Sequence, residues 1–387
     1  MAERWILQFC HSHYGPFLDV ARQYSALFSG GPYKVLTVYL TGAASEAVRA
    51  GSGGDEVIFL GYASNAVRGL KLDAILALRK IVAGLDVALI IAHRFKPIYV
   101  ACLATRLPVI GVHHAFGDYD RWQRRRFVDL FKRRLALLGV SDAVRDDIRN
   151  RLAHWPLDRI ETLHNRLDVD KALAAVVPRA PARERLGLPP EVCVIGNVGR
   201  LHPDKDQETL ITGFAKAVSR LPAGTLLAIA GSGPLESRLK ALASRLGVAD
   251  SVRFLGQIPD ARTLFPAFDL FVLSSDREPF GMVLLEAMAA GVPVMATACG
   301  GAPEVVQSKD MLFELGDAQQ LASLLIQFCT DHNQHTRAEI AAQGRSRLHD
   351  AFSDEVARRR FFSLPMVRSA LALRELPDSS CEWHCRN

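Results

Sequence analysis

The chain has 387 residues, of which 49% are hydrophobic and 23% charged, and a formal net charge of +6. This length has room for two or three domains, and the balance is that of a folded globular protein rather than a disordered one. No run approaches the roughly 18 apolar residues of a membrane-spanning helix, and the first residues, with polar breaks at Gln8 and His11, lack a secretory-leader profile, so a cytoplasmic protein is expected.

The positive excess suits an anionic partner without choosing among a nucleotide, a phosphorylated saccharide, nucleic acid or a membrane surface. The seven cysteines are odd in number and mostly scattered, which favours reduced thiols over a disulfide framework. Cys381, His384 and Cys385 lie close together but are too few for a metal site. Residues 376–387 are expected to form a flexible tail.

In chain order, short apolar runs predict strands at Trp5–Phe9, Lys34–Leu40, Val57–Leu60, Val87–Ala92, Val109–Val112, Leu137–Val140 and Ile160–Leu163. Helical periodicity fills Leu18–Phe28 and Lys71–Ala83. Strand and helix in alternation imply a parallel sheet covered on both faces. Between the fifth and sixth strands, Arg121 to Arg134 reads as a basic amphipathic helix with Phe127, Leu130 and Phe131 on one face. Such a helix could meet anionic lipid headgroups or a phosphorylated acceptor, or be packed with its basic face in water.

Residues 178–190, rich in Pro, Ala and Arg, read as an interdomain stretch with a short helix. The alternation then restarts. Strands are expected at Val192–Val198, Leu226–Ala230, Val252–Leu255, Leu270–Leu273, Val294–Thr297 and Met311–Phe313, and helices at Gln207–Ser219, Leu235–Leu246, Met282–Ala290 and Ala318–Cys329. The fold class is therefore α/β, with two Rossmann-like, doubly wound parallel-sheet domains expected to face each other across a cleft. The boundaries are set at 1–172 and 173–352, with a helix at about 353–375 returning to the first domain.

The densest chemical signal follows the strand at Leu270–Leu273. It runs from Glu278 through Gly281, Met282 and Val283 to Glu286. Gly281 stands where a helix begins, and the free N–H groups and positive dipole end of a helix bind phosphate. Glu286, little more than a turn inside, can reach a pair of hydroxyls such as a ribose. Glu278, in the loop before, can accept hydrogen bonds from a second polyol. Alone, an early helical Glu is often merely stabilised by the dipole. A second signal, Gly196 to Asp206, places Arg200 and Lys205 after a strand, where cations can stabilise a departing diphosphate. The glycine turns Gly231-Ser232-Gly233-Pro234 and Gly300-Gly301 lie on the same strand ends.

These residues resemble the retaining glycosyltransferases of family 4, which have the GT-B fold. The likeness rests on Glu278 and Glu286, on Arg200 and Lys205, on the Gly231–Pro234 turn, on Val252–Gly256 and on Gly300–Glu304, in that family's order and spacing. Leu138–Ser141 and His164–Asp168 are looser matches, with Arg166 where the family has Gly. The resemblance implies that Arg200 and Lys205 bind the donor diphosphate, Glu286 the ribose and Glu278 the donor sugar. It gives the distal phosphate to the amides of Gly281, Met282 and Val283, and the base to the stretch Arg253–Leu255.

His113 matches a catalytic histidine near the donor sugar, with neighbouring His114 left open as the alternative. Many relatives carry paired glycines after the first strand. Here the loop is His11–Phe17, where Gly15 can serve the turn on the donor, and His11 and His13 are either ligands or plain loop residues.

The implied reaction moves a sugar from a nucleotide-diphosphate donor, a UDP-sugar first, to a saccharide or glycolipid acceptor, with retention at the anomeric carbon. Lipopolysaccharide core or another bacterial surface glycan is the expected destination, at the cytoplasmic face of the inner membrane, with no cofactor, no metal and no nucleic-acid partner. A nucleotide-sugar epimerase on the same fold and a non-catalytic nucleotide-sugar-binding protein remain as alternatives. A dinucleotide dehydrogenase is disfavoured, because no GxGxxG follows the first strand of either domain.

Overall fold

The computed structural model describes residues 3–15, 17–331 and 334–372. The proposed tail at 376–387, with Cys381, His384 and Cys385, lies outside the described residues.

Two compact units emerge, one of Met1–Asn165 with Asp354–Asn387 and one of Arg166–Ser353. The division falls at Asn165/Arg166, ahead of the expected 172/173. The first unit holds β1 (Arg4–Cys10), β2 (Tyr33–Thr41), β3 (Glu56–Tyr62), β4 (Asp86–His93), β5 (Val109–His113), β6 (Leu135–Gly139) and β7 (Ile160–Thr162), in the order β3-β2-β1-β4-β5-β6-β7. The second holds β8 (Val194–Val198), β9 (Leu226–Ala230), β10 (Val252–Gly256), β11 (Leu270–Leu273), β12 (Val294–Thr297) and β13 (Leu312–Phe313), in the order β10-β9-β8-β11-β12-β13. All pairings are parallel. The central strands are buried almost end to end, as in β4 and β9, because helices cover both sheet faces.

Each sheet has one place where the chain's winding reverses. In the first unit it lies between β1 and β4, and in the second between β8 and β11. Loops leaving neighbouring strands there diverge to opposite faces and open a crevice at the carboxyl ends.

The helix Gln207–Ala217 shows how the second unit is built. Asp206 caps it, accepting from the Thr209 amide at 3.2 Å, and Leu210, Ile211, Phe214 and Ala217 form its buried stripe. It packs on the helix Ala318–Asp331 so closely that a Cβ at Gly213 would stand 2.7 Å from Leu321 Cδ2.

The stretch 178–190 is not an interdomain stretch, as the sequence suggested, although its short helix is present at Arg179–Arg185. Arg183 is buried and reaches Asp269 Oδ2 at 2.8 Å and the Ala267 carbonyl at 3.0 Å, while Asp269 Oδ2 also accepts from the Val194 amide at 2.7 Å. A buried cation needs such partners, and they fix this segment within the second unit.

After Ser353 the chain rejoins the first unit through the helix Asp354–Ser363. Phe361 is fully buried, its ring centre 5.6 Å from that of Phe28, and Arg358 donates to the Ser29 carbonyl at 2.9 Å. Burying a side chain of that size contributes roughly 1.5–3 kcal/mol.

Candidate functional site

The reversal between β8 and β11 brings the two strongest sequence signals together. The loop after β8 carries Arg200 and Lys205, and the loop after β11 carries Glu278. Lys205 Nζ lies 2.7 Å from Glu278 Oε2 and 3.3 Å from Ser275 Oγ, and Ser275 donates to the same Glu278 oxygen at 3.1 Å. Backbone contacts lace the loops further: Ser274 Oγ donates to the Lys205 carbonyl at 2.9 Å and the Asp276 amide to the Asp204 carbonyl at 3.2 Å. Glu278 is only 8% exposed, so its charge relies on Lys205 and Ser275.

Gly281 follows with φ +100° and ψ +50°, a conformation that side-chain-bearing residues rarely adopt. A Cβ there would stand 2.9 Å from Leu284 Cδ1 and 3.7 Å from Glu278 Cγ, so the turn sits against the carboxylate. The helix Met282–Ala289 starts here without a side-chain cap, and its first bond to Gly281 comes from the Leu284 amide at 2.9 Å. The amides of Gly281, Met282 and Val283 therefore belong to the open, positive end of the helix. Glu286 is half-buried one turn further on.

The turn after β9 completes the floor. Gly231 (φ +142°) passes so close to the β8 loop that a Cβ would fall 1.8 Å from the Gly199 carbonyl oxygen. A Cβ on Gly233 would stand 2.3 Å from that of Leu201. The Gly231 amide donates to Gly256 at the end of β10 at 2.7 Å. Arg253 is exposed and Leu255 half-buried on β10, the edge strand. Arg200 points outward, its side chain 69% exposed, with one guanidinium nitrogen 3.2 Å from Asp204 Oδ2. Of the expected diphosphate pair, Lys205 is thus engaged at the turn and Arg200 faces solvent beside a carboxylate.

In the first unit, Gly15 takes φ +61° in an open position, where an added Cβ would meet nothing within 4 Å. His13 is packed within its loop. Its Nε2 lies 3.0 Å from the Ala43 carbonyl and its ring packs on Tyr14, Tyr39 and Phe59.

His113 ends β5 fully buried. Nδ1 is 2.7 Å from Asp118 Oδ2 and Nε2 is 3.1 Å from the Tyr119 hydroxyl. A carboxylate only accepts, so Nδ1 donates to Asp118, while Nε2 pairs with the Tyr119 hydroxyl. With both nitrogens engaged, His113 holds Asp118 and Tyr119 in place; the half-buried member of the pair is His114. Burial raises the Asp118 carboxyl, but the hydrogen bond from His113 and the charges of His113, Arg124 and Arg94 outweigh it, leaving it below the usual range. Burial, then His113 and Arg94, against an opposing Asp118, push His114 down to about 3. Burial, then Arg94 and Lys96, push His11 down to about 4.

The basic stretch after β5 divides in two. In the helix Trp122–Asp129 and the turn beyond it, Arg124 binds Asp118, Arg125 the Tyr119 carbonyl and Arg134 the Leu107 carbonyl. Arg121, Arg126, Lys132 and Arg133 are exposed. The expected shared apolar face breaks: Phe127 packs on Tyr99 and Phe131, while Leu130 is 79% exposed, near Trp122 in sequence at 53%.

Ser274, Ser275, Asp118 and Tyr119 escape the sequence reading as functional residues. Ser275 had one available signal, its place in the polar run that leads from β11 to Glu278.

Comparison with known proteins agrees with this architecture. The family model for glycosyl transferases group 1 matches residues 178–347, and that for glycosyltransferase family 4 matches 20–171. A lipopolysaccharide core biosynthesis glycosyltransferase, LpsE, of Rhizobium meliloti is 36% identical over 175 residues, 45% of this chain and 49% of the relative. N-acetyl-alpha-D-glucosaminyl L-malate synthase of Bacillus anthracis is 31% identical over 202 residues, 52% and 51% of the two chains. The chain spans about half the length of the curated relatives it matches. Among solved structures, a glycosyltransferase of Rickettsia africae superposes with a TM-score of 0.81 at 17% identity, over 96% of this chain and 100% of that one. Anabaena Alr3699/HepE in complex with UDP superposes at 0.75 and 23% identity, over 93% and 98%.

Proposed function

The chain belongs to family 4 of the glycosyltransferases, with the GT-B fold, and on that premise we propose that it transfers a sugar, with retention, from a nucleotide-diphosphate donor to a saccharide or glycolipid acceptor. One observation carries the reading: Lys205, Glu278 and Ser275 meet at the β8/β11 crevice beside the uncapped helix start at Gly281.

The chemistry follows from those parts. A diphosphate laid against the helix start meets the open amides of Gly281, Met282 and Val283 and the charge of Lys205. As the anion draws Lys205 toward itself, Glu278 is left to accept hydrogen bonds from sugar hydroxyls. Glu286 reaches the ribose, and the wall formed by Arg253 and Leu255 takes the base. The bond between the anomeric carbon and the diphosphate oxygen breaks as the acceptor hydroxyl oxygen attacks from the same face, and the acceptor proton passes to the departing diphosphate oxygen. Charge building on the leaving oxygen is stabilised by fixed cations and dipoles, and no metal is assigned.

UDP in the HepE complex supports a UDP-sugar donor, and the LpsE relative supports a lipopolysaccharide-core acceptor; the proposed place of transfer is the cytoplasmic face of the inner membrane. Exposed Trp122 and Leu130 and the exposed cations Arg121, Arg126, Lys132 and Arg133 support peripheral contact with an anionic membrane.

The test is product analysis with UDP-, GDP- and ADP-sugars, with and without a lipid-linked or saccharide acceptor. Acceptor-dependent product that keeps the donor's anomeric configuration is expected. Epimerised donor without acceptor would replace transfer by epimerisation, and tight donor binding with no turnover would make the protein a sensor.

A further inference from the structure

The first unit has its own reversal point, between β1 and β4, and the residues leaving the strand ends there are strongly biased in charge. His11 follows β1, His93 ends β4 and is followed by Arg94 and Lys96, and His114 follows β5. Lys71 caps the helix Leu72–Ala83, and its Nζ lies 4.3 Å from the centre of the Tyr99 ring. Arg124 lies 4.6 Å from the ring of Phe95, one turn earlier on the same helix, Phe95–Ala104. These two aromatic rings hold two cations along the first turn of a helix whose N-terminus already favours anions.

Among the described residues, none of Arg68, Lys71, Arg94 and Lys96 has a carboxylate in salt-bridge range, and the Asp118 carboxylate bound to Arg124 also accepts from His113. Burial and then the surrounding cations lower both lysines: Arg68, Arg94 and Arg124 act on Lys96, and Lys96 and Arg124 on Lys71. Arg94 itself is held at φ +75°. Two ring nitrogens in this cluster, His11 Nδ1 and His93 Nε2, are buried without a hydrogen-bond partner among the described residues. Lys71 and Lys96 are half-buried and Arg68 and Arg94 exposed beside them; Lys71 donates only to the neutral Gly69 carbonyl, at 2.6 Å, so a bound anion would relieve the repulsion among these cations.

We infer that the β1/β4 crevice is an anion site that holds a phosphoryl group of the acceptor, gripped by Lys71, Arg94 and Lys96 with His11 beside it. The role of that anion as part of an acceptor rests on the transferase reading above; the site itself does not. The acceptor class is then a phosphorylated saccharide or a phospholipid-linked one, and free and lipid-borne phosphate offer the same chemistry.

The test follows the His11 ring resonances of the full chain by NMR, assigned with His11→Gln, while pH is varied. The probes are chloride, inorganic phosphate, glycerol 3-phosphate, and vesicles of phosphatidylglycerol or phosphatidylcholine. Bound phosphate is expected to raise the His11 midpoint by about one pH unit or more. Lys96→Ala with Lys71→Ala should abolish the move, Lys96→Arg should keep it, and Lys205→Ala should not affect it. A response to glycerol 3-phosphate identifies a soluble ester; one confined to phosphatidylglycerol vesicles identifies a lipid headgroup. No move with any phosphate probe, or an equal move in the double variant, overturns the site. A moved midpoint in a protein that transfers no sugar keeps the site and removes the transferase reading. A transferase whose His11 ignores phosphate does the reverse.

Discussion

Lys205 Nζ stands 2.7 Å from Glu278 Oε2 across 73 residues of sequence, so the cation expected to grip a diphosphate and the carboxylate expected to grip a sugar neutralise each other. A donor must exchange this pair for two new ones: phosphate on the lysine, hydroxyls on the carboxylate. Lys205→Ala should lower transfer at least about tenfold, as expected when an electrostatic stabiliser of the leaving group is lost. It should also cost about 1–3 kcal/mol of stability, because Glu278 loses a partner while largely buried. Steady-state rates and denaturant titration read the two effects separately. Glu286→Ala should cut activity comparably; full activity in either purified variant would count against the donor site.

The glycines of the two units differ in what they protect. Gly231→Ala should destabilise by on the order of 3 kcal/mol, since its Cβ would meet the Gly199 carbonyl at 1.8 Å. Gly15→Ala has open space and only its positive φ to lose, and should cost about 1–2 kcal/mol. Urea midpoints of the two variants check the order, and equal midpoints would contradict the close approach of the β8 and β9 loops.

The first unit should weaken in mild acid. His11 and His114 have folded values of about 4 and about 3 against an ordinary 6.5, so the unfolded chain binds their protons first. Stability is full above about pH 6.5 and falls as pH drops toward 4. Asp118, held below its usual range, extends the loss further into acid. Thermal melts from pH 8 to pH 4 should show this slope, and His11→Gln should flatten it. A flat wild-type profile would mean that these rings are not held neutral by burial.

Excess EDTA should leave the transfer rate unchanged, because Lys205 and the helix start at Gly281 supply the positive charge at the leaving group. Abolished activity, restored by a divalent ion, would require a metal that this mechanism does not use.

Replacing Arg121, Arg126, Lys132 and Arg133 with Ala should weaken binding to phosphatidylglycerol vesicles, by roughly 1 kcal/mol for each cation at the surface. Sedimentation with vesicles measures it, and unchanged binding would remove the membrane contact. Arg124 and Arg125 are unsuitable probes, since both are tied to the protein's own backbone.

Both sheets are legible in the sequence because parallel strands buried on both faces read as short, unbroken apolar runs. The β8/β11 crevice, the proposed donor site, is legible because Arg200, Lys205, Glu278 and Gly281 lie directly after such runs. Side-chain direction is not. Nothing in the order of residues shows that Arg200 turns outward or that His113 is sealed between Asp118 and Tyr119. Likewise, the Pro-, Ala- and Arg-rich composition of 178–190 looks like a linker. It proves otherwise because Asp269, distant in sequence, supplies the carboxylate that lets Arg183 be buried. The basic stretch misled in a similar way, since Leu130 shares a helical spacing with Phe127 and Phe131 but lies past the last turn of the helix.

The return of Asp354–Ser363 to the first unit sets an order on biosynthesis. The ribosome finishes every strand of the N-terminal sheet early, yet Phe28 waits for Phe361, which emerges only after the whole second unit has been made. For that interval the nascent chain carries an uncovered aromatic patch on an otherwise assembled sheet domain, a natural landing place for a chaperone. A premature stop before Phe361 would make that exposure permanent.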